Sequence, residues 1–391
     1  MSIKFQYIVQ PELGPGVEVD LEKVKYPHHG RYLDDYSVGD VYVHPRGITT
    51  DSYMAKQYAL NFQMTNPIYL NNQFARAHGY ETAPLCPVHV FNIIMSQGVQ
   101  NDSEKVIANL GYYKAQFFHP VYPGDTITAF SKVVDVADRG EEQPGFVKLQ
   151  TLGLNQDRKN VMQYERIILV PHRGDRPPAE PRPETTYPFP WSEDISAELP
   201  FNNGPYPKHL TSTYTYVENF EQGEIIIHAN GRTVTDEHMS WSYKLGNTHP
   251  LHTDRIYSNS LSGPMSGEPI VFGGLVFAWL DGLSSRDVLE NVLWEMSFTE
   301  GVHTQPTFSG DTLYAISRIL HVGNRMPNLP FPVGHLVQQL IGVKNISGAT
   351  AIDMYGEELF MKESAKKEKG MEKIPEKVFE VERVFLVKRK P

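Results

Sequence analysis

Two histidines, His249 and His252, stand in a short polar loop and could transfer a proton. The loop follows a run that predicts a helix over 236–245, and Gly246 and Pro250 are typical of the turn that ends such a helix. Because proline stiffens the bend, the imidazole of His252 would be held in one place. A histidine fixed in this way suits acid/base chemistry, since its ordinary pKa of about 6.5 lets it accept and return a proton near neutral pH.

A second interpretation of His252 is structural, with a backbone carbonyl satisfying its ring. The surrounding sequence favours chemistry, because residues 218–282 resemble the MaoC-like acyl-CoA dehydratases, also called (R)-specific enoyl-CoA hydratases. That family has the loop Gly-Asp-x-Asn-Pro-(Leu/Ile)-His after a helix introduced by Thr-(Val/Ile)-Thr. The matching segments of this chain are Thr-Val-Thr at 233–235 and Gly-Asn-Thr-His-Pro-Leu-His at 246–252.

The loop departs from the family at two positions. Asn247 stands where the family has its catalytic aspartate, and His249 stands where it has asparagine. The first departure matters, because an amide can orient a water molecule but cannot take its proton. Asn247 could suffice if His252 serves both proton steps. Alternatively, His249 or His303 could replace the missing acid, or this copy of the site could be inactive.

Two later segments narrow the resemblance to the branch that contains mesaconyl-CoA hydratase, also named 2-methylfumaryl-CoA hydratase. They are Ile-Val-Phe-Gly-Gly at 270–274 and Gly-Val-His-Thr-Gln-Pro-Thr-Phe-Ser-Gly-Asp-Thr at 301–312. The resemblance implies a reversible hydration of a 2-enoyl-CoA, the substrate pair being mesaconyl-CoA and β-methylmalyl-CoA. It implies no cofactor, and no motif with metal-ligand spacing points to a metal site.

Hydration of an enoyl thioester requires deprotonation of water, protonation of the α-carbon and stabilisation of the thioester oxygen. We assign the first task to His252, with Asn247 holding the water. The oxyanion donor is expected among the backbone N–H groups of Gly273 and Gly274, at the start of an apolar helix. Close packing is the alternative reason for these glycines.

His303 is expected at the end of a strand that enters the site. A cationic imidazole at this position could hold a substrate carboxylate. A purely structural histidine is an equally good interpretation of the sequence.

Three motifs recur in the same order and indicate an internal duplication. The pairs are Gly39 with Gly223, Pro67 with Pro250, and Gly124 with Gly310, separated by 184, 183 and 186 positions. Each half has a strand, a helix, a longer apolar helix and then several alternating strands. This pattern predicts an α+β protein with an antiparallel sheet. Together with the resemblance, it implies a double hotdog, in which each antiparallel sheet wraps a central helix.

We predict an N-terminal arm over 1–30, a first repeat over 31–172, a linker over 173–210 and a second repeat over 211–391. The linker is rich in proline, which excludes a helix or a central strand.

The loop of the first repeat keeps the turn and loses the acid/base groups. It has Met64 and Tyr69 where the second repeat has Asn247 and His252. The first repeat is therefore expected to shape the acyl pocket rather than to react. Tyr69 could donate a hydrogen bond in that pocket or serve only in packing.

Composition limits the possible partners. The formal net charge of −10 argues against nucleic acid or an anionic membrane. Cys86 is the single cysteine, which excludes a disulfide within the chain. No segment has the apolar length of a signal peptide or a membrane span, so the cytoplasm is the expected location. The resemblance implies a homodimer.

Two other functions fit the same sequence. A thioesterase or a hydratase of another acyl-CoA would keep the fold and change the reaction or substrate. A catalytically silent acyl-CoA-binding protein would account for Asn247 in the position of the family's aspartate.

Overall fold

The computed structural model describes residues 19–26, 29–179, 187–194, 197, 199–202, 205–323 and 332–391. Most of the predicted N-terminal arm and part of the predicted linker lie outside these residues. Within them, no helix is both long and apolar enough to cross a membrane.

The first half contains two short strands, four helices and four long strands. They are β1 (Val41–Val43), β2 (Ile48–Thr49), α1 (Ser52–Asn61), α2 (Pro67–Leu70), α3 (Asn72–Ala77), α4 (Pro87–Gly98), β3 (Ala108–Phe117), β4 (Thr126–Ala137), β5 (Gly145–Leu154) and β6 (Asn160–Val170).

The second half repeats this order and adds two helices before its last strand. Its elements are β7 (Ile225–Thr233), α5 (Asp236–Met239), α6 (Trp241–Lys244), α7 (Arg255–Ser260), α8 (Gly273–Ser284), β8 (Val292–His303), β9 (Thr312–Gly323), β10 (Val333–Lys344), α9 (Gly348–Tyr355), α10 (Glu363–Glu368) and β11 (Lys377–Lys388).

One antiparallel sheet runs through both halves. Its order is β1-β4-β5-β6-β3-β8-β11-β10-β9-β7, with β2 paired to β4. The halves meet where β3 pairs with β8, with Ala115 opposite Phe298. The sheet order of one half is therefore the mirror of the other about this seam. The predicted α+β double hotdog fold is confirmed.

The two central helices, α4 and α8, pack against each other inside the sheet. Every residue of α4 is buried, as are all residues of α8 after Gly273. The Asn92 Nδ2 group on α4 donates to the carbonyl oxygen of Gly274 on α8 over 2.8 Å. An apolar helix that is buried on all sides is typical of the centre of a domain, so these helices form the core of both halves.

Both halves also bury a histidine beside an aspartate. His44 Nε2 lies 3.4 Å from Asp102 Oδ2 in the first half. In the second half, His228 Nδ1 lies 2.8 Å from Asp287 Oδ2. The spacing of these pairs matches that of the repeated motifs, so the duplication extends to the buried polar side chains.

The predicted helix over 236–245 is interrupted. It forms two short helices, α5 and α6, which meet at Ser240. The Ser240 hydroxyl donates to the carbonyl oxygen of Glu237 over 2.6 Å, and that of Ser242 donates to Met239 over 2.9 Å. Hydroxyls that bond to nearby carbonyls compete with the helical pattern and bend it.

The close contact between α8 and the first half can be tested at Gly282. A Cβ atom at Gly282 would overlap the backbone carbonyl of Phe62. We expect Gly282→Ala to lower the free energy of unfolding by about 1–3 kcal/mol, because the backbone cannot move aside easily. In the control Gly348→Ala, the new methyl meets only the side chains of Ile227 and Ile316. Denaturant unfolding should show a smaller loss for the control, and equal stability of both variants would contradict the close approach.

Candidate active site

A cavity of about 350 Å³ lies between the two halves. The second half contributes the loop before α7 and the start of α8. The first half contributes the end of α4 together with β3 and β6. Of the predicted site residues, the structure brings five together in this cavity: Asn247, His249, His252, Gly273 and His303. The two that it does not place in the cavity lining are Gly274 and Tyr69.

The loop turns sharply at Gly246, which has a φ of +89°. This left-handed backbone is the helix stop that the sequence predicts. Asn247 follows and is buried, and its Oδ1 atom accepts from the backbone N–H of His249 over 2.9 Å. Its Nδ2 group makes no hydrogen bond within the described part of the chain. The amide therefore keeps a donor for a ligand or a water molecule.

His252 has a defined tautomer. Its Nδ1 atom lies 3.0 Å from the carbonyl oxygen of Ile270 and must carry the proton, since a carbonyl can only accept. Its Nε2 atom is therefore the unprotonated nitrogen. Burial, with smaller contributions from the neighbouring His249 and His303, lowers the pKa of His252 to about 3, and the hydrogen bond to the Ile270 carbonyl opposes this shift. At neutral pH the ring is uncharged and its Nε2 atom can accept a proton.

His249 is held at both ring nitrogens. Its Nδ1 atom accepts from the N–H of Leu251 over 3.1 Å, which caps the turn of residues 250–252. Its Nε2 atom donates to the carbonyl oxygen of Val106, in the first half, over 3.2 Å. Burial lowers the pKa of His249 to about 4. This geometry fits a residue that positions the loop, and it offers no free nitrogen for the proton-transfer role suggested by the sequence.

The first half contains an asparagine in the same structural position. Asn66 Oδ1 caps the next turn by accepting from the N–H of Ile68 over 3.0 Å. Its Nδ2 group donates across to Val292, in the second half, over 2.8 Å. Val292 lies 186 positions after Val106, so the two loops make equivalent contacts. His249 therefore makes, in the second half, the same two contacts that Asn66 makes in the first half.

The start of α8 faces His303. A Cβ atom at Gly273 would overlap the His303 ring, so a larger residue here would displace that side chain. The backbone N–H groups of a first helical turn have no helical partner and lie at the positive end of the helix dipole. His303 Nε2 also lies 3.3 Å from the Tyr112 hydroxyl. Burial lowers the pKa of His303 to about 4. A carboxylate bound beside the ring would oppose that shift, so the expected role in holding a substrate carboxylate stays a prediction.

Gly274 fits the packing interpretation. A Cβ atom here would overlap the side chain of Asn92, which already donates to the Gly274 carbonyl. Glycine is needed at this position for the close approach of α4 and α8. Of the two glycines, Gly273 lines the cavity and Gly274 does not. The structure therefore supports the predicted oxyanion role for Gly273 only.

Tyr69 lies in the counterpart of the large cavity. This second space, of about 10 Å³, is lined by the first-half loop residues Met64, Asn66 and Tyr69. Burial raises the pKa of Tyr69 well above 10, so the phenol stays protonated. Tyr69 lines this small space and not the large cavity, and its predicted hydrogen bond to an acyl group stays a prediction.

Sequence reasoning missed polar groups that the first half places in the large cavity. They are Asn109, Tyr112 and Arg166. In β6, Tyr164, Arg166 and Ile168 alternate on the inward side, so an arginine in this apolar series was a usable signal. Within the described residues, no group of three or more His, Cys, Asp or Glu side chains could hold a metal ion.

The fold and the cavity define a MaoC-like protein of the double hotdog class. A MaoC domain protein from Chloroflexus aurantiacus has a solved structure with a TM-score of 0.78 at 27% identity, covering 93% of this chain and 98% of that one. A Mycobacterium tuberculosis protein described as a double hotdog has a TM-score of 0.66 at 17% identity, covering 91% and 98%. The second likeness shows the fold alone.

Sequence comparison gives the family. A family model described as mesaconyl-CoA hydratase matches residues 16–330, and the chain belongs to this family. The beta-methylmalyl-CoA dehydratase of Chloroflexus aurantiacus is 32% identical over 306 residues, covering 74% of this chain and 82% of that protein. The mesaconyl-CoA hydratase of Cereibacter sphaeroides is 28% identical over 321 residues, covering 81% and 90%.

The equivalence of His249 and Asn66 predicts how a substitution behaves. We expect His249→Asn to keep the unfolding free energy at pH 7 within about 1 kcal/mol, because an amide can make both contacts. His249→Ala should lose about 1–2 kcal/mol, because it leaves the turn uncapped. Denaturant unfolding at pH 7 measures both, and an asparagine variant as weak as the alanine variant would contradict the equivalence.

The same variant has a signature in pH dependence. The folded chain holds the pKa of His249 near 4, below its ordinary value of 6.5, so between these values only the unfolded chain binds the proton. The stability contributed by the neutral ring is present above pH 6.5 and is lost as the pH falls. Unfolding between pH 7 and 4.5 should therefore show a shallower loss for His249→Asn, by up to about 1.4 kcal/mol per pH unit.

Proposed function

We propose that this protein is a hydro-lyase that reversibly adds water to mesaconyl-CoA and forms β-methylmalyl-CoA. Family membership and the activities for which the two relatives are named support the reaction and the substrate. The observation that carries the proposal is the neutral His252, which lines a cavity shared with the start of α8 and whose Nδ1 bond to Ile270 leaves Nε2 unprotonated.

In this mechanism the Nε2 atom of His252 removes a proton from water as the oxygen attacks the β-carbon. The Nδ2 group of Asn247 donates to that water and orients it. The N–H of Gly273 donates to the thioester oxygen while it carries negative charge. The protonated ring then gives the proton to the α-carbon, so no proton is gained or lost overall. Burial makes the imidazolium costly, which opposes removal of the proton from water and favours its transfer to the α-carbon, and in this mechanism one histidine serves both steps.

The proposed reaction needs no cofactor, since its substrate is activated by its own thioester. Dialysis against a chelator should therefore leave turnover unchanged. A loss that added metal restores would contradict this part of the proposal.

We also propose that the protein works as a homodimer in the cytoplasm, where acyl-CoA thioesters are made and consumed. Exposed apolar side chains support an interface between copies. They include Tyr53 and Leu60 on α1 and Ile256 on α7. Light scattering should give twice the mass of one chain.

His252→Ala tests the catalytic role directly. We expect turnover of mesaconyl-CoA, followed by loss of the enoyl-thioester absorbance, to fall at least ~10²-fold, because the general base is removed. His209→Ala changes an exposed histidine and is the control. Unchanged turnover in His252→Ala, with the fold intact, would remove His252 from the mechanism. Release of free CoA, measured with a thiol reagent, would instead indicate a thioesterase.

Substitution of Asn247 tests whether the amide suffices. We expect Asn247→Ala to lower turnover by about 10- to 100-fold, because the water loses its donor. Asn247→Asp should keep at least wild-type turnover, since a carboxylate can also accept the His249 N–H. Binding of acyl-CoA without turnover in the wild type would favour the silent-binder alternative.

A further inference from the structure

The cavity contains a cation that the proposed mechanism does not use. Arg166 on β6 is buried and lines the cavity. Its Nη2 group donates to Asp102 Oδ1 over 2.7 Å. Its Nε group has no hydrogen-bond partner among the residues that the structure describes. Burial of a guanidinium donor without a hydrogen-bond partner costs free energy. A ligand could supply the partner that the described residues do not.

The internal duplication identifies the counterpart of Arg166. Tyr112 on β3 pairs with Arg166, and Phe298 on β8 pairs with Arg383. Tyr112 and Phe298 lie 186 positions apart, as do the first residues of α4 and α8. Arg166 and Arg383 therefore occupy equivalent positions in the two halves, the first in the large cavity and the second in the small one.

Arg383 binds two carboxylates from its own chain. Its Nε and Nη2 groups both donate to Glu295 over 2.8 Å, in the bidentate arrangement that suits a guanidinium. Its Nη1 group lies 2.6 Å from Asp281 Oδ1. All three side chains are buried, and they line the small cavity of about 10 Å³. An arginine at this point of the fold can thus hold two carboxylates at once.

The large cavity lacks these two carboxylates. The counterpart of Glu295 is Asn109, since Glu295 pairs with Phe385 as Asn109 pairs with Ile168. The counterpart of Asp281, 186 positions earlier, is Met95. Both line the cavity. The one carboxylate that the chain supplies to Arg166 is that of Asp102, which is not part of the cavity lining. At the position of Glu295, the large cavity therefore has a shorter, uncharged side chain, and a carboxylate for Arg166 could come from a ligand there.

We propose that Arg166 binds the free carboxylate of a dicarboxylyl thioester, in the place that Glu295 takes at Arg383. Arg166 and Asn109 both line the cavity, so the guanidinium, whose Nε group has no partner among the described residues, is the proposed donor to this carboxylate, and Asn109 contributes an uncharged amide beside it. This inference deepens the proposed function and rests on it for the thioester chemistry. Arg166 and Asn109 then select acyl groups that end in a carboxylate over those that end in a methyl group.

Binding of saturated thioesters tests this selection without turnover. Succinyl-CoA and butyryl-CoA have acyl chains of equal length and differ in a terminal carboxylate. We expect the wild type to bind succinyl-CoA at least ~10-fold more tightly in calorimetry, because a buried guanidinium gains its missing partner. Equal affinity for the two would overturn the proposal. A preference for succinyl-CoA without any hydration of mesaconyl-CoA would keep the carboxylate site and contradict only the proposed function.

A pair of substitutions at Asn109 locates the selection. Asn109→Glu places a carboxylate beside Arg166 at the position equivalent to Glu295. It leaves Arg166 and Asp102 unchanged. We expect it to abolish the preference for succinyl-CoA, with at least ~30-fold weaker binding of that ligand and much less change for butyryl-CoA. Asn109→Gln is the matched control of similar size and should keep the preference. Equal effects of the two substitutions on succinyl-CoA would overturn the assignment to Arg166.

Removal of the arginine is the complementary variant. Arg166→Met alone would strand the buried Asp102 carboxylate, so the double variant Arg166→Met/Asp102→Asn keeps the region neutral. It should bind butyryl-CoA as the wild type does and lose the preference for succinyl-CoA. Circular dichroism shows whether it folds. A folded double variant that still prefers succinyl-CoA would place the carboxylate elsewhere.

Discussion

The close packing of α4 against α8 is the constraint on which the rest of the structure depends. It requires a helix surface without side chains at Gly274 and Gly282, where the first half touches the second. The side-chain amide of Asn92 lies between the two helices and donates to the carbonyl oxygen of Gly274. Once the helices are docked, each half's loop reaches a carbonyl of the other half, through His249 and Asn66. The large cavity therefore exists only when both halves are folded together.

The two halves share one geometry but differ in the side chains around the buried arginine. In the small cavity, Arg383 and two carboxylates form a buried ion cluster. Burial raises the pKa of Asp281 and Glu295, and the guanidinium opposes that rise. Such a cluster contributes little net stability, because desolvation offsets most of the attraction. It does fill the space that would otherwise admit water. In the large cavity, uncharged side chains replace the carboxylates and leave room for a ligand.

Much of this could be predicted from the sequence because it depends on local patterns. The turn at Gly246 and the long apolar helices rest on patterns within one repeat, and the duplication rests on a nearly constant spacing between the two repeats. The grouping of Asn247, His252 and His303 followed from motifs. Arg166 could not be paired with Arg383 in this way, because the connection before β11 contains α9 and α10 and shifts their spacing to 217 positions. The role of His249 also needed coordinates, since it depends on a carbonyl in the other half.

The seam between β3 and β8 has a consequence for the number of working sites. Since one chain carries both halves, they do not separate and exchange as independent subunits can. Two separate hotdog subunits would give two identical sites, and a defect in one gene product could be diluted by mixing with intact subunits. Here one chain carries one His252 loop, so a damaged chain cannot be rescued by pairing. The first half has no acid/base loop to preserve, so its residues could change to form one wall of the pocket. In a dimer of identical subunits, the same change would alter both sites at once.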